Sequence, residues 1–199
     1  MSFAEMNSVS LAPRVCCLAL TACLVAVPAA GADAPSAVAE ARRCWSTVGE
    51  AGIAACRRAL DAGLAPSRAS RVELTLATRL AGLGRGDEAA DVHRAAVARR
   101  PQDGEAHRRL GAALLHGLGR PSDAEALLRE AIRLGAGEAR TWGDLALALV
   151  ALGRLTEAVA AFDEALRLDP KFLDGRPGSR AAYEAARAGG PWPPPPGPP

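Results

Sequence analysis

The stretch TWGDLALALVALGRLTEAVAAFDEALRLDP, residues 141–170, decides the fold. Its apolar residues recur at three and four: Leu145, Leu149 and Leu152, then Ala158, Phe162, Ala165 and Leu166. That spacing places each set on one face of an α-helix of about three turns. Gly153 stands between the two sets, where the first helix has to stop and the chain reverse. Pro170 follows the second set and blocks its continuation, because proline has no N–H to give and its ring clashes with the preceding turn. Ala146 and Ala158 face each other across the reversal, and their small side chains let the two helices approach closely.

The same arrangement returns about 34 residues earlier. Leu110-Gly111, Leu114, Ala124, Leu128 and Ala131 form a second copy, with one extra residue placed in its turn around Gly117-Leu118-Gly119. A further step back gives Leu76-Ala77, Leu80, Gly84, Ala89, His93, Ala96 and Pro101. The sequence therefore predicts three contiguous repeats, 70–103, 104–138 and 139–172, each a pair of antiparallel amphipathic helices. One such hairpin cannot bury its apolar face alone, so the copies must stack.

The spacing of Trp142, Leu145-Ala146, Leu149, Ala158, Phe162, Ala165 and Pro170 resembles the tetratricopeptide repeat (TPR) pattern position for position, with Ala146 for the usual glycine and Leu149 for the usual tyrosine. The first two copies depart further. His93 stands where a large aromatic would fill the space between helices, and Glu73 and His107 stand where the third copy has Trp142. They are expected to pack less well than the third. The resemblance implies an all-α fold, an α-solenoid of stacked antiparallel hairpins, and a binding scaffold rather than an enzyme. It also implies a concave surface lined by the first helix of each repeat, of a kind that takes extended peptides or partner helices. By matching positions, the groove-facing candidates are Arg71, Leu74 and Thr78, then Glu105, Arg108, Arg109 and Ala112, then Arg140, Asp144 and Leu147. One version of the family clamps a peptide's terminal carboxylate with lysine, arginine and asparagine. This chain has no asparagine after Asn7 and a single lysine, Lys171, outside the groove, so that clamp is not present as such. Arg71, Arg108, Arg109 and Arg140 are left to hold an acidic peptide by bidentate pairing.

Both flanks of 70–172 read as helical caps. Residues 33–69 form a linker and a degenerate hairpin, with Ser36 to Ser46 as one helix and Ile53 to Leu60 as the other. Residues 173–188 hold a capping helix in which Ser179 is expected as N-cap and Tyr183 covers the last repeat's apolar edge. Residues 189–199 are a Pro-rich tail, expected as polyproline II or disordered. Trp192 within it is a candidate anchor for an aromatic groove, against the plainer reading of an inert tail.

The first 32 residues differ in kind. Arg14 precedes an apolar run of 13 residues, Val15 to Val27, followed by Pro28 and by Ala30-Gly31-Ala32 ahead of Asp33. A basic residue, a short apolar segment and a small-x-small site make a secretory signal peptide, too short to span a bilayer. Leu20-Thr21-Ala22-Cys23 also resembles a bacterial lipobox, in which Cys23 would be lipidated, although the residues after it are still apolar. Either reading exports the protein to the periplasm or cell envelope, with membrane contact only through such an anchor. Cleavage at Ala32 leaves two cysteines, Cys44 and Cys56, in an oxidising compartment. They fall on opposite helices of the N-terminal hairpin, centred on Glu50. Packed helices bring facing Cα atoms within about 4–6 Å, inside disulfide range. A structural disulfide is expected, in preference to redox chemistry, which needs adjacent thiols, or zinc, which needs two more ligands.

Charge and motif exclude other classes. The formal charge is +2, and 24 basic residues are interleaved with 22 acidic ones, giving no field for nucleic acid. Solvated faces are expected to account for most of the arginine pairs 42–43, 57–58, 99–100 and 108–109. His93, His107 and His116 share no metal-ligand spacing. Gly82-Leu83-Gly84-Arg85-Gly86 lacks the lysine and hydroxyl residue of a phosphate loop and falls where a hairpin must turn. Neither a cofactor nor a catalytic set is expected.

Overall fold

In the computed structural model the described residues are 33–189; the signal-like segment with Cys23 and residues 190–199 lie outside them. The described residues form nine α-helices: α1 (Pro35–Ser46), α2 (Gly49–Asp61), α3 (Pro66–Gly82), α4 (Gly86–Arg99), α5 (Gly104–Ala112), α6 (Pro121–Arg133), α7 (Ala139–Ala151), α8 (Leu155–Leu168) and α9 (Pro177–Ala188). They pair as antiparallel hairpins α1/α2, α3/α4, α5/α6 and α7/α8, stacked in chain order, with α9 laid against α7 and α8. The odd-numbered helices also meet directly, α1 with α3, α5 with α7 and α7 with α9, so they line the inner face of the stack.

The core positions of the repeat pattern are buried. In the third copy Ala146, Ala158, Phe162 and Ala165 are fully enclosed. Leu76, Leu80, Leu110, Leu114 and Leu128 hold the matching places in the first two. Gly111 shows why small residues are needed there: a Cβ on it would stand 2.9 Å from Cγ of Leu128. The three hairpins α3/α4, α5/α6 and α7/α8 close in the same way. The glycine of a recurring Leu-Gly-Arg takes positive φ (Gly84 +73°, Gly119 +59°, Gly153 +74°), and the arginine after it pairs with an acid three residues on, Glu88, Asp123 or Glu157.

The structure differs from the sequence reading in five places. The extra residue of the middle copy is not in the turn. It is absorbed inside the first helix, where Ala113–Gly117 continues α5 as a π-helical segment. The N-terminal hairpin reverses at Thr47-Val48 rather than around Glu50, which already lies in the first turn of α2. Helix α3 begins at Pro66, four residues ahead of the expected repeat boundary at 70, because proline at a first turn gives up an N–H that has no partner there anyway. For the same reason Pro177 starts α9 and Ser179 lies inside it instead of capping it. Finally, the arginine pairs are not merely solvated: Arg57, Arg58, Arg99, Arg100, Arg108 and Arg109 all pair with acids, and the acid held by Arg99 and Arg100 is the buried Glu73.

The interior divides into two apolar clusters. One spans α1–α4, from Ala41 to Ala89, and contains Ile53, Val72, Leu76 and Leu80. The other runs from Ala90 to Ala186 and contains Leu128, Leu145, Leu149, Phe162 and Phe172. In the first, Cys44 and Cys56 are joined across α1 and α2, fully buried, with Cα atoms 4.6 Å apart.

Candidate peptide-binding face

The inner face is built from the first helices of the repeats. Leu74 and Thr78 project from α3 because they lie one helical face away from the buried Val72, Leu76 and Leu80. Leu74 is 45% exposed, unusual for a large apolar side chain. The hydroxyl of Thr78 donates to the Leu74 carbonyl at 2.8 Å. Across from them stand Arg108, Arg109 and Ala112 of α5, and together these residues bound a cleft of about 550 Å³. A second cleft of about 430 Å³ adjoins it, walled by Arg108, Ala112, Arg140, Asp144 and Leu147 and closed by Phe172, Arg176 and Ser179 at the start of the C-terminal cap. Eight of the ten predicted groove residues therefore line one continuous run of clefts. Arg71 and Glu105 do not line them.

The electrostatics of this face were not legible from position alone. Arg108 donates from Nε and Nη2 to Glu105 at 2.6 and 2.7 Å, and Arg109 donates from Nε to the same carboxylate at 2.8 Å. Burial raises the Glu105 pKa, but the hydrogen bonds and charges of Arg108 and Arg109 outweigh it and hold the carboxyl below its usual range. One acid thus answers two arginines, and the group keeps a net positive charge. Arg71 lies over the half-exposed Trp45 ring of α1, 5.1 Å from its centroid. Arg71 and Arg140 enter no ion pair with an acid among the described residues. Asp144 accepts from His116 Nε2 at 3.0 Å, a bond that joins the middle repeat to the third across the face.

His116, Arg176 and Ser179 are site residues that the sequence reading missed. Arg176 and Ser179 belong to the cap, which no repeat pattern covers. His116 reaches the face only because of the π segment, and its signal was present as the extra residue between Leu114 and Leu118. His93 lies at the back of the first cleft, 7% exposed. Burial, followed by the nearby Arg109 charge, lowers its pKa from 6.5 to about 4, so it is a neutral packing group at physiological pH. Among the described residues no group of three His, Cys, Asp or Glu side chains is placed to hold a metal ion.

Stacked two-helix repeats with an inner face of this kind define an α-solenoid. The family model "Tetratricopeptide repeat" matches residues 74–139 and 117–171, and the chain belongs to that family. Similar solved structures share the fold. MamA of Desulfovibrio magneticus RS-1, residues 41 to the end, aligns with a TM-score of 0.61 at 21% identity, over 79% of this chain and 93% of that one. YrrB, described as a TPR protein with an unusual peptide-binding site, aligns with 0.54 at 22% identity, over 77% and 71%. The TPR2AB domain of yeast Sti1, in its pHSP90 complex, aligns with 0.50 at 15% identity, over 69% and 63%. No curated protein matches the chain significantly in sequence.

Proposed function

We propose that this chain is an exported scaffold or assembly factor of the cell envelope that binds an acidic linear segment of a partner protein along its inner face. The observation that carries the reading is the charge of that face. Arg71, Arg108, Arg109, Arg140 and Arg176 stand on or beside it against Glu105, Asp144 and Glu138, while outer-helix acids such as Glu88, Glu125 and Glu157 are paired with arginines of their own. Two fold neighbours lend support, YrrB with its unusual peptide-binding site and the Sti1 domain in its pHSP90 complex. Exposed Leu74 and half-buried Leu147, set among the arginines, suit apolar side chains of the same segment.

Export rests on residues 1–32 and on the buried Cys44–Cys56 pair, which fits an oxidising compartment. The first residue of a chain cut after Ala32 is Asp33, whose carboxylate accepts from the Ala65 amide at 2.5 Å and pairs with Arg68. A second reading, a lipoprotein subunit of an outer-membrane or secretion complex, is favoured only by Leu20-Thr21-Ala22-Cys23. Fatty-acid labelling of the wild type that disappears in Cys23→Ala selects it. A thiol redox or metal role for Cys44 and Cys56 is disfavoured by their complete burial.

The test of the binding reading is in-cell photocrosslinking from Leu147, with identification of the attached protein and measurement of its affinity. Arg71→Glu with Arg140→Glu should weaken that affinity about tenfold while leaving the fold intact, because neither side chain is engaged by an acid. Unchanged affinity in the double variant would refute the groove assignment.

A further inference from the structure

The middle repeat is one residue longer than its neighbours, and the place of the insertion can be fixed. Between the buried leucine of the first helix and the Leu-Gly-Arg of the turn, the first copy has Ala81-Gly82 and the third has Val150-Ala151, whereas the middle copy has Leu115-His116-Gly117. The backbone closes identically around the difference. Arg85 N donates to Leu80 O and Arg154 N to Leu149 O, both at 2.9 Å across five residues; Arg120 N donates to Leu114 O at 2.9 Å across six. The added residue is held as the π segment Ala113–Gly117. The π segment takes up the roughly 100° of turn that one extra residue adds, so Leu118, Gly119 and Arg120 keep the places of their counterparts while Leu115, His116 and Gly117 share the arc that two residues fill in the other copies.

The consequence is a third cleft at the C-terminal end of the inner face, about 570 Å³, with apolar walls from Leu115, Pro121, Leu147 and Ala151. His116, bonded to Asp144, separates it from the polar cleft beside it. Its rim carries Arg176, which donates to the Phe172 carbonyl and lies 4.5 Å from the Phe172 ring centroid. Neither Arg176 nor the adjacent Arg140 pairs with an acid among the described residues.

We propose that this π-built cleft is the anchor pocket of the groove, taking one large apolar side chain, aromatic or leucine, from a partner segment whose flanking residues are acidic. The inference rests on the acidic-segment reading above. Charge complementarity selects the occupant: an apolar pocket beside two arginines without acid partners matches an apolar residue between acids. The chain's own Trp192 does not meet the requirement. It is flanked by Pro191 and Pro193, and none of residues 185–199 is acidic.

Deletion of Gly117 tests the proposal. Gly117 is exposed, with nothing near its Cβ position, and its loss restores the spacing with which the first and third copies fold. Ala151→Trp, which fills the pocket from an exposed helix end, is the second variant. The probes are two fluorescein-labelled heptapeptides, Asp-Glu-Asp-Phe-Asp-Glu-Asp and the same peptide with alanine for phenylalanine, measured by anisotropy. The wild type should prefer the phenylalanine peptide about tenfold, and both variants, still melting cooperatively, should bind the two within about twofold of each other. A preference kept in both variants overturns the anchor pocket while leaving the acidic groove standing. No preference in the wild type does the same. Binding of neither peptide by the wild type overturns the groove reading with it. A concentration-dependent dimer that is lost in both variants would assign the pocket to a second copy of this chain and overturn the proposed occupant.

Discussion

The two ends of the solenoid solve one packing problem with different chemistry. The third repeat and its cap use aromatic side chains: Phe162 is fully enclosed, Tyr183 meets it edge-on with ring centroids 5.4 Å apart, and the Tyr183 hydroxyl donates to Asp163 at 2.7 Å. Phe172 lies directly over Gly143, where any Cβ would overlap its ring. The N-terminal hairpin and first repeat have no buried Phe, Tyr or Trp ring. Their apolar cluster is of small and aliphatic side chains, joined by Cys44–Cys56 and by a buried acid. Glu73, 1% exposed, receives Arg99 at 2.5 Å and Arg100 at 2.7 Å, and Arg100 also holds Asp103, whose side chain caps α5. Where the third copy places Trp142, the first places the anionic centre of an ion triad that ties α3, the end of α4 and the start of α5 together. A repeat thus tolerates the loss of its large aromatics if covalent and ionic links replace them, and it becomes sensitive to reductant and acid in return.

The comparison can be broken first at Phe162. Phe162→Ala should cost about 4 kcal/mol, read from the urea midpoint, because the ring leaves a cavity and removes the partner of Tyr183. Protection of amide hydrogens should fall in α7–α9 while α1 and α2 keep theirs, since each repeat is supported by its neighbours. The reciprocal change is Cys44→Ser with Cys56→Ser, or simple reduction. It should cost about 3 kcal/mol and expose the amides of α1 and α2 with little change in α8. If protection instead fell uniformly, the chain would be one cooperative unit and the contrast between its ends would carry no energetic meaning.

Acid sharpens the contrast on a smaller scale. Burial raises the Glu73 pKa, but the hydrogen bonds of Arg100 and Arg99 more than offset this, and the carboxyl lies below its ordinary 4.5. Its contribution is therefore full above that value and lost as pH falls through the lower, folded pKa. Glu73→Gln should cost about 2 kcal/mol at neutral pH and flatten the pH dependence of stability below 4.5. His93 acts in an adjoining window. Its pKa falls from 6.5 to about 4, so the unfolded chain takes up the proton first and stability declines between those values. His93→Gln should remove that slope and leave the Glu73 limb below it, as followed by urea unfolding across pH. The smallest effect belongs to Trp45. It is 40% exposed and touches Arg71 by a cation–π contact, so Trp45→Ala should change stability by under about 1 kcal/mol.

The fold was legible because its signal is one-dimensional. Leu145, Leu149, Ala158 and Phe162 declare two helical faces and a reversal within about thirty residues. Their equivalents one period earlier, Leu110, Leu114, Ala124 and Leu128, are buried as the spacing requires. Position within the repeat also placed Leu74, Thr78, Arg108, Ala112, Arg140, Asp144 and Leu147 on the clefts. Pairing was not legible. That Glu105 neutralises Arg108 and Arg109 together, that Arg71 turns to Trp45 and that Glu73 is enclosed by two arginines depend on which helices abut, and the acids involved sit up to 27 residues from their partners.

By itself the sequence determined the repeat period, the helix pairs and the faces that are buried between them, since helical periodicity and the turn glycines are local properties of the chain. Tertiary structure alone decided where the one extra residue went. A turn and a π segment are both open to Leu115-His116-Gly117, and the choice was made by keeping Gly119 and Arg120 in the closure that the stacked neighbours share. The helix absorbed the residue, and the inner face acquired His116 and the pocket beside it.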